Sequence, residues 1–275
     1  MFYMAVTEPS LPDHRDAIPL DRKLRWWLGS LAALAVLNVG LWLWLSRSAS
    51  LRTPYAEAQL LLSGIYVAVC GFRSLFPRVD LERVCLWDHW LSAIFLGRTA
   101  ATIAELCFAL QCGLFVQRLA ELSGQPMLAT AAQAFVPLAL VAEVACWYSV
   151  VSLNHVGHAV EESLWAVIML ILAAACGSAA SASTGTLRGM LMAGCVVYAV
   201  GASLTAAVDV RMYLRRWRVH AAVPRLPLAT GLLDSHSRRH STWSWHVWRE
   251  EVAWMTLYFS IGVWTSLAMV LLAWA

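Results

Sequence analysis

Charge is what this chain has least of. Only 13% of its 275 residues are charged while 60% are hydrophobic, and the mean hydropathy is +0.63. A soluble domain carries about a quarter charged residues, so this scarcity makes lipid the main solvent. No basic run with interleaved aromatics occurs, which argues against nucleic acid as a partner. CxxC spacing is missing too. The seven cysteines are Cys70, Cys85, Cys107, Cys112, Cys146, Cys176 and Cys195, and all but Cys85 fall inside apolar runs. They are expected to be small packing residues rather than a disulfide frame or a zinc site. The first 23 residues mix acids and bases, and the apolar run that follows is longer than a signal core, so no cleavable signal is expected. No internal repeat and no separate soluble domain stands out.

What the chain has instead is seven apolar runs of the roughly 20 residues that cross a bilayer. They cover residues 24–45, 57–76, 90–116, 127–153, 163–182, 187–212 and 251–275. The expected fold class is therefore all-α, a polytopic bundle of seven membrane helices over residues 24–275 behind a cytoplasmic tail at 1–23. Gly185, Gly189 and Ala193 give small-xxx-small spacing suited to close helix packing.

The basic residues orient the bundle. One side would hold Arg15, Arg22, Lys23, Arg25, Arg73, Arg78 and Arg83, then Arg211, Arg215, Arg216, Arg218, Arg225, Arg238, Arg239 and Arg249. The other would hold only Arg47, Arg52, Arg118 and Arg188. Fifteen against four is a strong positive-inside bias, which puts the N-terminus in the cytoplasm and the C-terminus across the membrane. The plasma (inner) membrane is the expected location. Trp87, Trp90, Trp165, Trp217 and Trp274 sit near span ends, where an interfacial aromatic belt explains them better than a ligand cage.

Ionisable residues inside the spans carry the chemistry. Each costs about 2.5–3.5 kcal/mol at mid-bilayer on insertion scales, so such residues face the bundle interior. Arg98 and Glu105 are seven apart and share a face of span three, with Thr102 between them. Counting 1.5 Å per residue, they lie about 10 and 20 Å from the inner end, and Glu143 of antiparallel span four lies about 15 Å deep. An Arg98–Glu143 pair with Glu105 close by is expected. One guanidinium neutralises one carboxylate and leaves the other to carry a proton, although a purely structural ion pair explains intramembrane charge nearly as well. Pro137 should kink span four beside Glu143. Trp147, Val150 and Asn154 share the Glu143 face, which makes Trp147, Asn154 and Thr102 the expected pocket lining. Tyr66, Tyr198 and Tyr258 are further candidates.

All eight histidines, His14, His89, His155, His158, His220, His236, His240 and His246, fall on the expected cytoplasmic side or its membrane edge. Two spacings are those of metal ligands. His155, His158 and Glu162 stand at i, i+3 and i+7, and His236 and His240 at i, i+4. Imidazole with carboxylate suits iron or zinc. Paired histidine boxes at a cytoplasmic edge resemble the di-iron sites of membrane desaturases and hydroxylases, but this chain has no HxxHH box and sets Arg238 and Arg239 beside the second pair. The favoured reading is an interfacial turn in which Glu161 and Glu162 cap the positive N-terminal end of span five. Seven spans with HxxxH are also similar in outline to membrane hydrolases related to alkaline ceramidases. That family keeps the pair inside the last span and another histidine in the second, where this chain has none. The loop RSLFPRVDLERVCLWDHW reads as an amphipathic interfacial helix with Arg78, Asp80, Glu82 and Arg83 turned to water.

These features lead to an expectation of a membrane-embedded enzyme acting on a lipophilic small molecule by acid–base chemistry. Glu143 or Glu105 would be the donor and Arg98 the charge partner, among membrane lipids. A transporter or proton-coupled carrier using the same groups is the alternative, and a non-enzymatic protein with a structural ion pair the third reading.

Overall fold

A computed structural model describes residues 21–48, 53–221 and 225–271. Among the described residues, seven helices long and apolar enough to cross a membrane make an all-α bundle. They are Arg22–Ser46, Pro54–Leu75, Ile94–Ser123, Pro126–Ser152, Val156–Ser181, Gly185–Val219 and Val252–Val270. His14, Arg15 and most of the expected tail, Arg52, Trp274 and the last residues of the seventh run lie outside the described residues.

Local chemistry sets the span ends. Asp21 caps the first span by accepting from the Lys23 amide at 2.7 Å, and Thr53 caps the second ahead of Pro54. The third span ends at Gly124, whose φ of 65° is the left-handed conformation that stops a helix. The fourth is interrupted at Gln133–Ala134, one turn before Pro137, as expected from the ring that denies the Gln133 carbonyl its partner. The sixth and seventh spans each hold a π-helical segment, Thr205–Val210 and Tyr258–Gly262.

The third span is the hub. It packs against the second, fourth, fifth and seventh, and half of its most apolar stretch is buried. One apolar core joins spans one, two and seven around Leu31, Val67, Phe259 and Trp248. Another joins spans three to six around Cys112, Phe135, Ile168 and Leu172. Large side chains such as Val144, Leu170 and Val200 point outward, as a lipid-facing surface requires. Trp87 and Trp90 are exposed at a span end as an aromatic belt would have them, whereas Trp165 packs toward Phe108 and Trp217 lines a small cleft beside His155 and His220.

The loop after span two is not the amphipathic helix expected. It forms a short antiparallel hairpin of β1 (Arg78–Val79) and β2 (Val84–Cys85), and β3 (His240–Ser241) pairs with β2 in parallel. Arg78 and Arg83 are buried, not turned to water. Arg78 donates to the Phe76 carbonyl and, at 2.8 Å, to the Ala93 carbonyl, tying the end of span two to the start of span three. Burial pushes its guanidinium down to about 10, still charged at neutral pH. Gly97 leaves the room for it, since a Cβ there would collide with the Arg78 guanidinium. Arg83 sits at φ 57° and holds Asp234 at 2.9 Å, the Asp80 carbonyl at 2.7 Å and the Val150 carbonyl at 2.9 Å. The helix-like period of this loop misleads because two of its charged residues, Arg78 in β1 and Arg83 in the turn before β2, point into the protein.

A buried Arg–Glu cluster as candidate functional site

Arg98 of span three is 5% exposed, and its Nη2 reaches Glu105 Oε2 at 2.5 Å and Glu143 Oε2 at 3.1 Å. Both carboxylates, from two helices, converge on one nitrogen. Thr102 donates to Glu143, and Trp147 Nε1 donates to the Thr102 hydroxyl at 3.0 Å. Tyr258, the first residue of the π segment in span seven, donates to Glu105 Oε1 at 2.9 Å. Its ring lies against Tyr66 and under the Arg73 guanidinium, 5.6 Å from the ring centre. Spans two, three, four and seven thus all contribute. Nε of Arg98 is buried and has no acceptor.

Glu161 joins the cluster. Span five begins at Val156, about two turns before the expected residue 163, so Glu161 lies inside the span and is buried. The expected cap is therefore incorrect: His155 occupies the N-cap, and Glu161 turns inward with Oε1 3.9 Å from Arg98 Nη1 and Oε2 2.6 Å from His158 Nδ1. The polar run NHVGHAVEES looked like a loop edge because its polar face meets Arg98 rather than water. Glu162, one residue on, is only half-buried and joins no group of metal-ligating side chains among the described residues.

Neither histidine pair forms one group of metal-ligating side chains among the described residues. His155 and His158 flank Tyr213, with ring centres 6.3 and 4.9 Å away, and His155 also faces His220 at 5.3 Å. Burial, with Arg216, His220 and His158 nearby, pushes His155 down to about 4, which keeps it neutral at pH 7. His236 and His240 do not share a helix face, because the helix Leu228–Ser237 ends between them and His240 belongs to β3. His236 stacks on Phe95 at 3.9 Å instead. Asn154 is drawn away from the expected pocket. It donates to the Tyr148 hydroxyl at 3.1 Å and accepts from the Val156 amide at 3.2 Å, closing the turn between spans four and five.

One further contributor and one separate polar centre are not legible in the sequence. Arg73 counts in the sequence only toward the charge bias of one side, whereas in the fold its guanidinium lies over the Tyr258 ring. A second buried network links Gln59, Gln111 and Ser266: Gln111 Nε2 donates to Gln59 Oε1 at 2.9 Å and Ser266 donates to Gln111 Oε1 at 2.6 Å. The stacked rings of Tyr66 and Phe108, 5.3 Å apart, lie on the helices between these two polar centres. Tyr198 packs with the apolar core of spans three to six. Compared with known proteins, the chain matches no family model, no curated protein and no solved structure.

Proposed function

We propose that the Arg98–Glu105–Glu143 cluster is an acid–base centre of a membrane-embedded enzyme acting on a lipophilic substrate. The observation that carries this reading is the guanidinium itself. Nη2 of Arg98 serves two carboxylates while its Nε–H, equally buried, has no acceptor. An unpaired buried donor costs about 1–3 kcal/mol, and a substrate oxygen would relieve it beside two carboxyl groups that can exchange a proton. Thr102 and Tyr258 orient the two acids, and Trp147 fixes Thr102 in turn. Asn154 takes no part.

The centre is tested by profiling lipids and lipophilic metabolites in cells carrying wild type against Glu143→Gln. The expected result is accumulation of one lipophilic species in the variant at unchanged expression. Identical profiles with preserved expression would count against the enzyme.

A proton-coupled carrier is the second reading, favoured by the interruptions in spans four, six and seven, since broken helices line the sites of many transporters. Proton flux into proteoliposomes, abolished by Glu143→Gln, would move the assignment there. In either case the N-terminus is proposed to face the cytoplasm, on the strength of the fifteen-to-four bias in basic residues.

A further inference from the structure

Cys146, His158 and Glu161 lie beside the acid–base centre without being needed by it. Cys146 Sγ is 3.7 Å from His158 Nδ1, and the same nitrogen is 2.6 Å from Glu161 Oε2. All three residues are buried, and the ligand atoms they offer lie within 4.8 Å of one another. One ring nitrogen either carries a proton or offers a lone pair. Hydrogen bonding therefore satisfies only one of its two neighbours, whereas a metal ion would bind thiolate, imidazole and carboxylate together.

We infer that these three side chains form a zinc site. Zinc takes thiolate sulfur at about 2.3 Å and imidazole nitrogen at about 2.0–2.1 Å, so a tetrahedral S–N edge is about 3.6 Å long. Cys146 and His158 already stand at 3.7 Å. The corresponding N–O edge is about 3.3 Å, so Glu161 has to withdraw by roughly 0.7 Å. It has the freedom to do so, because its contact with Arg98, at 3.9 Å, is the longest of the three carboxylates'. A thiolate ligand selects zinc over magnesium or calcium, and three protein ligands leave the fourth position open.

The backbone holds this arrangement in place. Gly157 rests on the Ala145 carbonyl so closely that a Cβ would collide with it, which brings the next residue of each helix, Cys146 and His158, face to face. Ser149 accepts from the His158 amide at 2.7 Å and donates to the Asn154 carbonyl at 2.5 Å, fixing the start of span five. Charge favours a cation as well. One guanidinium, Arg98, lies in ion-pair range of three buried carboxylates, Glu105, Glu143 and Glu161. Two negative charges are left in a low-dielectric interior, and the thiolate form of Cys146 adds a third, so a divalent ion together with one proton on a carboxyl group would balance them.

The site does not depend on the acid–base reading, and its test is separate. Protein expressed with added zinc and purified in detergent is washed with a mild chelator and its metal content measured. Wild type and Glu143→Gln are each expected to keep about one equivalent of zinc, while Cys146→Ser and His158→Gln lose it at least about tenfold. Cobalt replacing the zinc is expected to give wild type a thiolate-to-metal charge-transfer band in the near ultraviolet, missing in Cys146→Ser. Less than about a tenth of an equivalent in wild type overturns the site. So does zinc retained in either ligand variant. If a variant does not fold, the cobalt spectrum of the unsubstituted protein decides, and absence of the thiolate band overturns the proposal.

Discussion

A single guanidinium decides how three acids are tolerated in the bundle. Replacing Arg98 by alanine takes from Glu105, Glu143 and Glu161 the guanidinium they share, and removal of one partner from a buried ion pair costs about 3–5 kcal/mol. Arg98→Ala is expected to lower the thermal midpoint of the detergent-solubilised protein sharply, with much of the loss restored when Glu143→Gln is added. Additive destabilisation in the double variant would show that the pair is not the coupled unit described. His155 gives a pH signature. The unfolded chain takes up its proton near pH 6.5, while in the fold burial holds the ring neutral down to about 4. The unfolded state binds more protons across that window, so His155 contributes stability that is present above about pH 6.5 and lost as pH falls toward 4. Midpoints measured from pH 7 to 4 are expected to fall less steeply in His155→Gln. The sequence exposed Arg98, Glu105 and Glu143 as candidates because charge inside apolar runs is conspicuous. It hid Glu161 and Arg73, which stand near span ends where charge is ordinary and only the fold reveals which way they turn.

Helix contacts, rather than helix existence, were the unreadable part. The seven apolar runs are plain in the sequence because a bilayer demands length and hydropathy, and both are local properties. Which residues touch is a pairwise property, and the Gly157–Ala145 contact between spans four and five illustrates it. Helix propensity alone would make Gly157→Ala stabilising by about 1 kcal/mol. The neighbour is a backbone carbonyl that cannot step aside, so overpacking of about 1–3 kcal/mol wins and the substitution is expected to destabilise. Gly29→Ala is the control, since nothing stands within 4 Å of a Cβ there, and it is expected to be neutral or mildly stabilising. Equal midpoints for the two alanine variants would contradict the packing described. The loop between spans two and three failed for a related reason: β2 is completed by β3, more than 150 residues later, and no local period announces a partner that distant.

At the scale of the whole molecule the side of each loop is the open prediction. Ala182→Cys, between spans five and six, is expected to react with a membrane-impermeant maleimide on intact cells, whereas Ser237→Cys, between six and seven, reacts only after permeabilisation. Both positions are exposed, so reactivity reports sidedness rather than burial. The reverse pattern would invert the bundle. Of the fifteen basic residues that set the expected orientation, Arg73, Arg78 and Arg83 are buried in protein, which moves weight onto the exposed arginines after span six. The placement of Arg98 and Glu105 seven residues apart also has a consequence for synthesis. Span three emerges from the ribosome carrying cation and counterion on one helix, so it enters the bilayer already neutralised. Glu143 follows Arg98 by 45 residues, about 2–9 s at 5–20 residues per second, and Tyr258 follows Glu105 by 153 residues, about 8–31 s. Spans four and five bring acids with no lysine or arginine of their own, and each finds Arg98 waiting in the membrane. The order in which the chain is made is thus the order in which its charges can be accepted.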